Sequence, residues 1–127
     1  MVNRLLQPQE IEVFYVLPAV RRELATCMKL AGKSQKEIAK LLGVTEPAVS
    51  QYMSSKRAAS LRFNDKIKEH ICMSASRITS ELALMREMQR LLHVIRNERV
   101  VCQLHEKLSS GAKNCNVCFE APLIQLK

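Results

Sequence analysis

Three cysteines and a histidine near the C-terminus have the types and spacing of metal ligands. Cys102 and His105 are separated by two residues, as are Cys115 and Cys118, and nine residues lie between the pairs, including the short polar run SSGAKN. A two-residue gap lets both members of a pair reach one ion around a tight turn. Cys102, His105, Cys115 and Cys118 together make a Cys3His set, which suits tetrahedral zinc and leaves no open position for catalysis. A structural zinc stapling the C-terminal segment is the first reading. An iron–sulfur cluster on Cys102, Cys115, Cys118 and either Cys72 or His105 is the second, and would make the protein a redox or iron sensor. A metal-free thiol pair, or inert cysteines, is the third. Cys27 reads as filler on the apolar side of the first helix and Cys72 as core. His70 and His93 read as ordinary surface or core-edge residues.

No other constellation suggests an enzyme. The chain contains no phosphate-binding glycine loop, no nucleophile elbow, and no carboxylate pair with a flanking acid or base. Its 127 residues suffice for one domain, or one small domain with an appendage. No apolar run approaches the roughly 18–20 residues of a membrane span. The N-terminal MVNRLLQPQE lacks the order of a secretory signal. Five cysteines without such a signal predict a reducing, cytoplasmic location, where thiols serve as ligands, reactive groups or core more often than as disulfides.

The formal net charge is +8, and it is evenly spread. Residues 1–60 carry nine Lys/Arg against five Asp/Glu, and the remainder eleven against seven, so each part is +4. An evenly basic small protein fits an anionic partner, commonly nucleic acid. Trp is absent and aromatics are few, which argues against single-strand stacking platforms and for duplex DNA read through a groove.

The elements that would position these residues are helical. Each of the three glycines follows a helical pattern: Gly32 after ELATCMKLA, Gly43 after KEIAKLL and Gly111 after HEKLSS. No segment alternates with strand period, so the chain is predicted to be all-α, a bundle of five to six helices. The first helix spans about 9–30 with a stripe of Ile11, Phe14, Leu17, Val20, Leu24 and Met28, interrupted by Pro18, which predicts a kink or a new start. Arg21 and Arg22 lie off this stripe, facing solvent. A second helix starts at Ser34, with Glu37 completing a capping box, and ends at Leu42–Gly43. A third starts at Thr45, with Pro47 in its first turn, and runs to about Ser54. Two more are predicted at about 63–75 and 80–97, the latter capped by Ser80. Their stripe is Ile78, Leu82, Met85, Met88, Leu92 and Ile95, divided between packing within the chain and a twofold interface.

The stretch SQKEIAKLLGVTEPAVSQYMSSKR, residues 34–57, carries the functional signal. Ala39 is small where two helices would cross closely, Gly43 relieves Cβ strain in the turn, and Val44 plugs it. Ile38 and Leu42 turn the second helix inward, as Val49 and Tyr52 turn the third. Glu46, Ser50, Gln51 and Ser54 then form an outward polar face of the kind offered to a major groove.

This stretch resembles the helix-turn-helix of the Cro/cI-type repressor family at Gln35, Ala39, Leu42, Gly43, Val44, Val49 and Tyr52. With EVFYVLPAVRRELA before it, residues 10–58 look like small archaeal transcriptional regulators of that class. The resemblance implies a sequence-specific duplex-DNA-binding regulator. Ser34 and Gln35 would contact phosphate, and Thr45, Glu46, Ser50 and Gln51 would approach base edges. Lys56 and Arg57 would grip backbone beyond the recognition helix, while Pro47 and Ala48 could only touch a thymine methyl. Such proteins usually dimerise, because one short helix reads too few base pairs. The expected organisation is a DNA-binding domain at 1–60, a packing and dimerisation region at 61–99, and a Cys/His segment at 100–127. A protein–protein adapter on the same scaffold, or a metal-free thiol redox switch, are the rival readings.

Overall fold

A computed structural model describes residues 6–54, 61–108 and 116–120. Every regular element among them is helical, in agreement with the all-α expectation. In chain order they are α1 (Pro8–Ile11), a π-helical turn (Glu12–Val16), α2 (Leu17–Leu30), α3 (Gln35–Leu42), α4 (Glu46–Met53), α5 (Asp65–Ala75), α6 (Glu81–Asn97), α7 (Val100–Leu108) and a 3-10 turn (Val117–Phe119).

Helical backbone runs through Pro18, which stands in the first turn of α2 as the new-start expectation had it, and the π turn explains how. Proline has no N–H to return to the carbonyl four residues back, and its ring crowds that carbonyl. The wider turn absorbs the conflict: the Leu17 N–H donates to the Glu12 carbonyl, five residues back. The extra residue rotates everything before Leu17 relative to a uniform helix. Phe14, expected in the core, is therefore 59% exposed, and Val13 is also outside. Burial steps from Ile11 to Val16, then through Val20 and Leu24 to Met28. The predicted stripe is thus corrected at Phe14, and Leu17 is only half-buried.

Arg22 also departs from the solvent-facing expectation, being 2% exposed. Its Nη2 donates to the Leu61 carbonyl at 2.8 Å, and its Nε to the Glu23 carboxylate at 3.0 Å. The guanidinium is held inside because it ties α2 to the segment that follows α4. A buried arginine is tolerable only with such partners.

α2 ends in a double return: Gly32 N–H bonds the Lys29 carbonyl, Lys33 N–H the Met28 carbonyl, and Gly32 takes φ +92°. Asn64 caps α5 through Oδ1 to the Ile67 N–H, and Ser80 caps α6 through Oγ to the Ala83 N–H, as its position before Glu81 predicts. Ile78, fully buried, fills the break between them.

α2 is the central rod, packing against α3, α4 and α5, while α6 contacts α3, α5 and α7, and α7 returns to α1. One apolar cluster runs through all of these, from Ile11 to Val101. The Arg96–Glu12 ion pair, 2.8 Å, fastens α6 to the π turn. On α6, Met88, Leu92 and Ile95 are buried as predicted, joined by Ala83 and Leu91. Leu82 and Met85 are instead 69% and 63% exposed. Glu87 is buried on the same helix, its Oε1 3.5 Å from both Arg77 and Arg90.

Candidate nucleic-acid interface

α3 and α4 begin with the caps the sequence predicts. Ser34 Oγ accepts from the Glu37 N–H at 3.1 Å, and Glu37 Oε1 accepts from the Ser34 N–H at 3.3 Å. Thr45 Oγ1 accepts from the Ala48 N–H at 3.2 Å, and Pro47 sits in the first turn, where a missing N–H costs nothing. Between them Gly43 adopts φ +66°. Its N–H bonds the Lys40 carbonyl, and the Val44 N–H bonds the Ala39 carbonyl. This left-handed closure reverses the chain within three residues and sets the crossing of α3 and α4. Ile38, Ala39, Leu42, Val49 and Tyr52 are all buried beneath the crossing, and Val44 is half-buried.

What remains outside is polar. Ser34, Gln35, Thr45, Glu46, Ser50, Gln51 and Ser54 are all exposed. Gln35 links the two helices, its Nε2 donating to the Glu46 carbonyl at 3.1 Å. Ala48 corrects the expectation of a base-touching methyl: it is buried, directed into the domain with Val49 and Tyr52, while Pro47 beside it is exposed. Lys36 and Lys40, exposed and one turn apart on α3, add positive charge that the motif-based reading did not single out. Their signal was present, since they fall on outward positions of α3, Lys36 before the buried Ile38 and Ala39 and Lys40 between Ala39 and Leu42. Lys56 and Arg57 lie outside the described residues.

The Cys/His segment is arranged differently from the tight turn expected of its first pair. Cys102 and His105 are on α7, three residues apart and thus on one helix face, and both are half-buried. α7 is seated by Val100 and Val101, which are buried. Arg99, at φ +59°, opens the helix and places its guanidinium 4.4 Å from the Phe119 ring centroid, which holds the 3-10 turn near it. Cys118, in that turn, is exposed, and it lines a cleft of about 360 Å³ together with Cys102, Glu12 and Arg96. Cys115 and Gly111 lie outside the described residues. Among the described residues, no three His, Cys, Asp or Glu side chains are grouped so as to hold a metal ion.

Of the other two cysteines, Cys27 packs half-buried against the core as expected, while Cys72 overturns its expected role. Cys27 and Cys72 are joined in a disulfide, with 5.4 Å between their Cα atoms. Cys72 is exposed rather than core, and its bond to Cys27 removes it from any cluster with Cys102 and Cys118. Packing of α2 on α5 brings the two together across 45 residues of sequence, a proximity no local pattern encodes. His70 and His93 are exposed, in line with their reading as ordinary residues.

Among the described residues, no helix is long and apolar enough to cross a membrane. No curated protein and no solved structure matches the chain. Residues 24–67, however, match the family model described as helix-turn-helix, a DNA-binding regulatory family and not an enzyme family. The match begins within α2, spans α3 and α4 entire, and ends within α5. The likeness in capping, turn and buried positions noted above thus has an independent counterpart: the chain carries a helix-turn-helix domain of the Cro/cI type.

Proposed function

We propose that this protein is a sequence-specific duplex-DNA-binding transcriptional regulator that acts as a homodimer. The observation that carries the reading is the exposed polar face of α4, Glu46, Ser50 and Gln51, backed by Val49 and Tyr52 in the core. A helix so supported enters the major groove as a rigid body. Gln51 reads an adenine edge through its amide, and Glu46 accepts from a cytosine amino group. Ser34 and Gln35, with Lys36, Lys56 and Arg57, hold the phosphates, and Thr45 and Ser50 meet the groove edge. Leu82 and Met85, apolar and exposed on α6, support the dimer surface.

The C-terminal segment, in this proposal, binds a metal ion that stabilises the dimer or tunes DNA affinity. Zinc on Cys102, His105, Cys115 and Cys118 is the preferred ion. An iron–sulfur cluster on the three cysteines and His105 is the alternative. The shared cleft of Cys102 and Cys118 supports the assignment, as does the common face of Cys102 and His105.

Selection from a random duplex library, followed by binding across a salt series, tests the DNA reading. Recovery of a consensus, with affinity falling steeply as salt rises, is the expected result. No duplex affinity even at low salt would overturn it in favour of a protein-bridging adapter. Elemental analysis and a visible spectrum of anaerobically purified protein separate zinc, iron with sulfide, and neither.

A further inference from the structure

Cys27 and Cys72 enclose the entire reading unit. The covalent loop between them contains α3, the Gly43 turn and α4, with the end of α2 and the start of α5 at its mouth. The two helices it joins are also the scaffold on which the helix-turn-helix sits, since α2 packs against α3, α4 and α5. Leu24, Met28, Ile67 and Ile71 are buried, giving α2 and α5 an apolar contact that does not require the bond. The disulfide lies at the rim of that contact. Cys72 is exposed, and the two cysteines line a small surface cavity of about 90 Å³ with Lys33, Ala75 and Ser76. An exposed cysteine sharing a cavity with a lysine, bridging helices that also share an apolar contact, describes an exchangeable disulfide better than a sealed structural one.

We propose that the Cys27–Cys72 pair is a reversible thiol–disulfide exchange site, addressed by dithiol reductants, that sets the stability of the DNA-binding domain. The thiolate of a dithiol attacks Sγ of Cys72, the more exposed of the two cysteines. The Cys27–Cys72 bond breaks, and Cys27 leaves as a thiolate. The second thiol of the reductant then attacks the mixed disulfide, releasing Cys72 and closing the reductant's own disulfide. Two electrons pass from the dithiol to the pair, and its two protons end on Cys27 and Cys72. A low-mass disulfide reverses the sequence, gaining the two electrons and two protons. Opening the loop frees the unfolded chain between the cysteines, so the reduced domain melts lower, by on the order of 10 °C for a loop of this length.

The experiment uses the full chain. Dithiothreitol is titrated under native conditions, free thiols are counted by alkylation and mass spectrometry of the Cys27 and Cys72 peptides, and the melting midpoint is read at each step. Expected are paired labelling of both peptides, a mass gain of two hydrogens, a lower midpoint, and recovery of all three signals with oxidised glutathione. A Cys27→Ser/Cys72→Ser variant should melt where the reduced protein does and ignore the reductant. Should that variant fail to fold, the wild-type titration decides alone. Full alkylation of both cysteines before reduction, resistance of the folded protein to millimolar dithiothreitol, or an unchanged midpoint would each overturn the proposal. A further measurement rests on the DNA reading: between the two midpoints, oxidised protein should retain a selected duplex and reduced protein release it. Absence of duplex binding in both states would defeat that reading while leaving the thermal and alkylation results to judge the disulfide.

Discussion

Single residues divide here into those that shape the domain and those it presents. Gly43 shapes it. A Cβ at this position would have Leu84 Cδ2, at 4.0 Å, as its nearest neighbour beyond the adjoining chain, so space is not the constraint. The φ of +66° is. Gly43→Ala should cost about 1–2 kcal/mol from left-handed backbone strain alone, read as a lower urea midpoint with an unchanged slope. Gln51 is presented. Being exposed, Gln51→Ala should leave the melting midpoint unchanged and weaken the selected duplex by roughly tenfold or more, with relaxed preference at one position. Normal binding by this variant would remove Gln51 as the reader. Lys36→Ala should instead weaken all duplexes alike and make the salt slope shallower by about one.

At the scale of elements, the π turn has the widest consequences. It lets Pro18 sit inside a continuous rod, and in doing so it exchanges which aromatic and aliphatic residues face inward. A paired substitution tests that register. Val16→Ala should destabilise the protein by about 1–3 kcal/mol, because it opens a cavity in a closed core. Phe14→Ala, although it removes far more side chain, should fall within about 0.5 kcal/mol. A uniform helix with Phe14 inward would give the opposite order. Arg22 belongs to this scale too, since it joins α2 to the chain leaving α4. Arg22→Ala strands the Leu61 carbonyl in a buried place and frees the Glu23 carboxylate from its partner, an expected loss of about 2–3 kcal/mol by denaturant titration.

At the scale of the whole molecule, α6 bears on association. The α6 residues Met88, Leu91, Leu92 and Ile95 are spent on the chain's own core, and Leu82 and Met85 are left outside. If the proposed dimer uses them, Leu82→Glu with Met85→Glu should bring the sedimentation mass to a single 14.5 kDa chain and weaken a two-half-site duplex far more than a single half-site. A variant that stays dimeric would move the interface elsewhere. Both positions are exposed, so the variant should keep its fold, and a far-ultraviolet spectrum checks it.

The sequence by itself determined the local features. Ser34, Thr45 and Ser80 cap helices because a short polar side chain can satisfy the first free N–H groups wherever the chain turns into a helix. Gly43 closes the turn because only backbone without a Cβ is unstrained there, and Ile38, Leu42, Val49 and Tyr52 follow from the geometry of two crossing helices. These interactions span a few residues, so spacing alone reveals them, and the resemblance to the Cro/cI type rests on the same positions. Tertiary structure decided the rest. The burial of Arg22 depends on Leu61, thirty-nine residues away. The exposure of Phe14 depends on how the rod absorbs a proline, and that of Leu82 and Met85 on which side of α6 meets α5 and α7. Cys27 and Cys72 became a pair only because α2 lies on α5. A periodicity reads an apolar face but not its partner, and each of these outcomes was set by the partner.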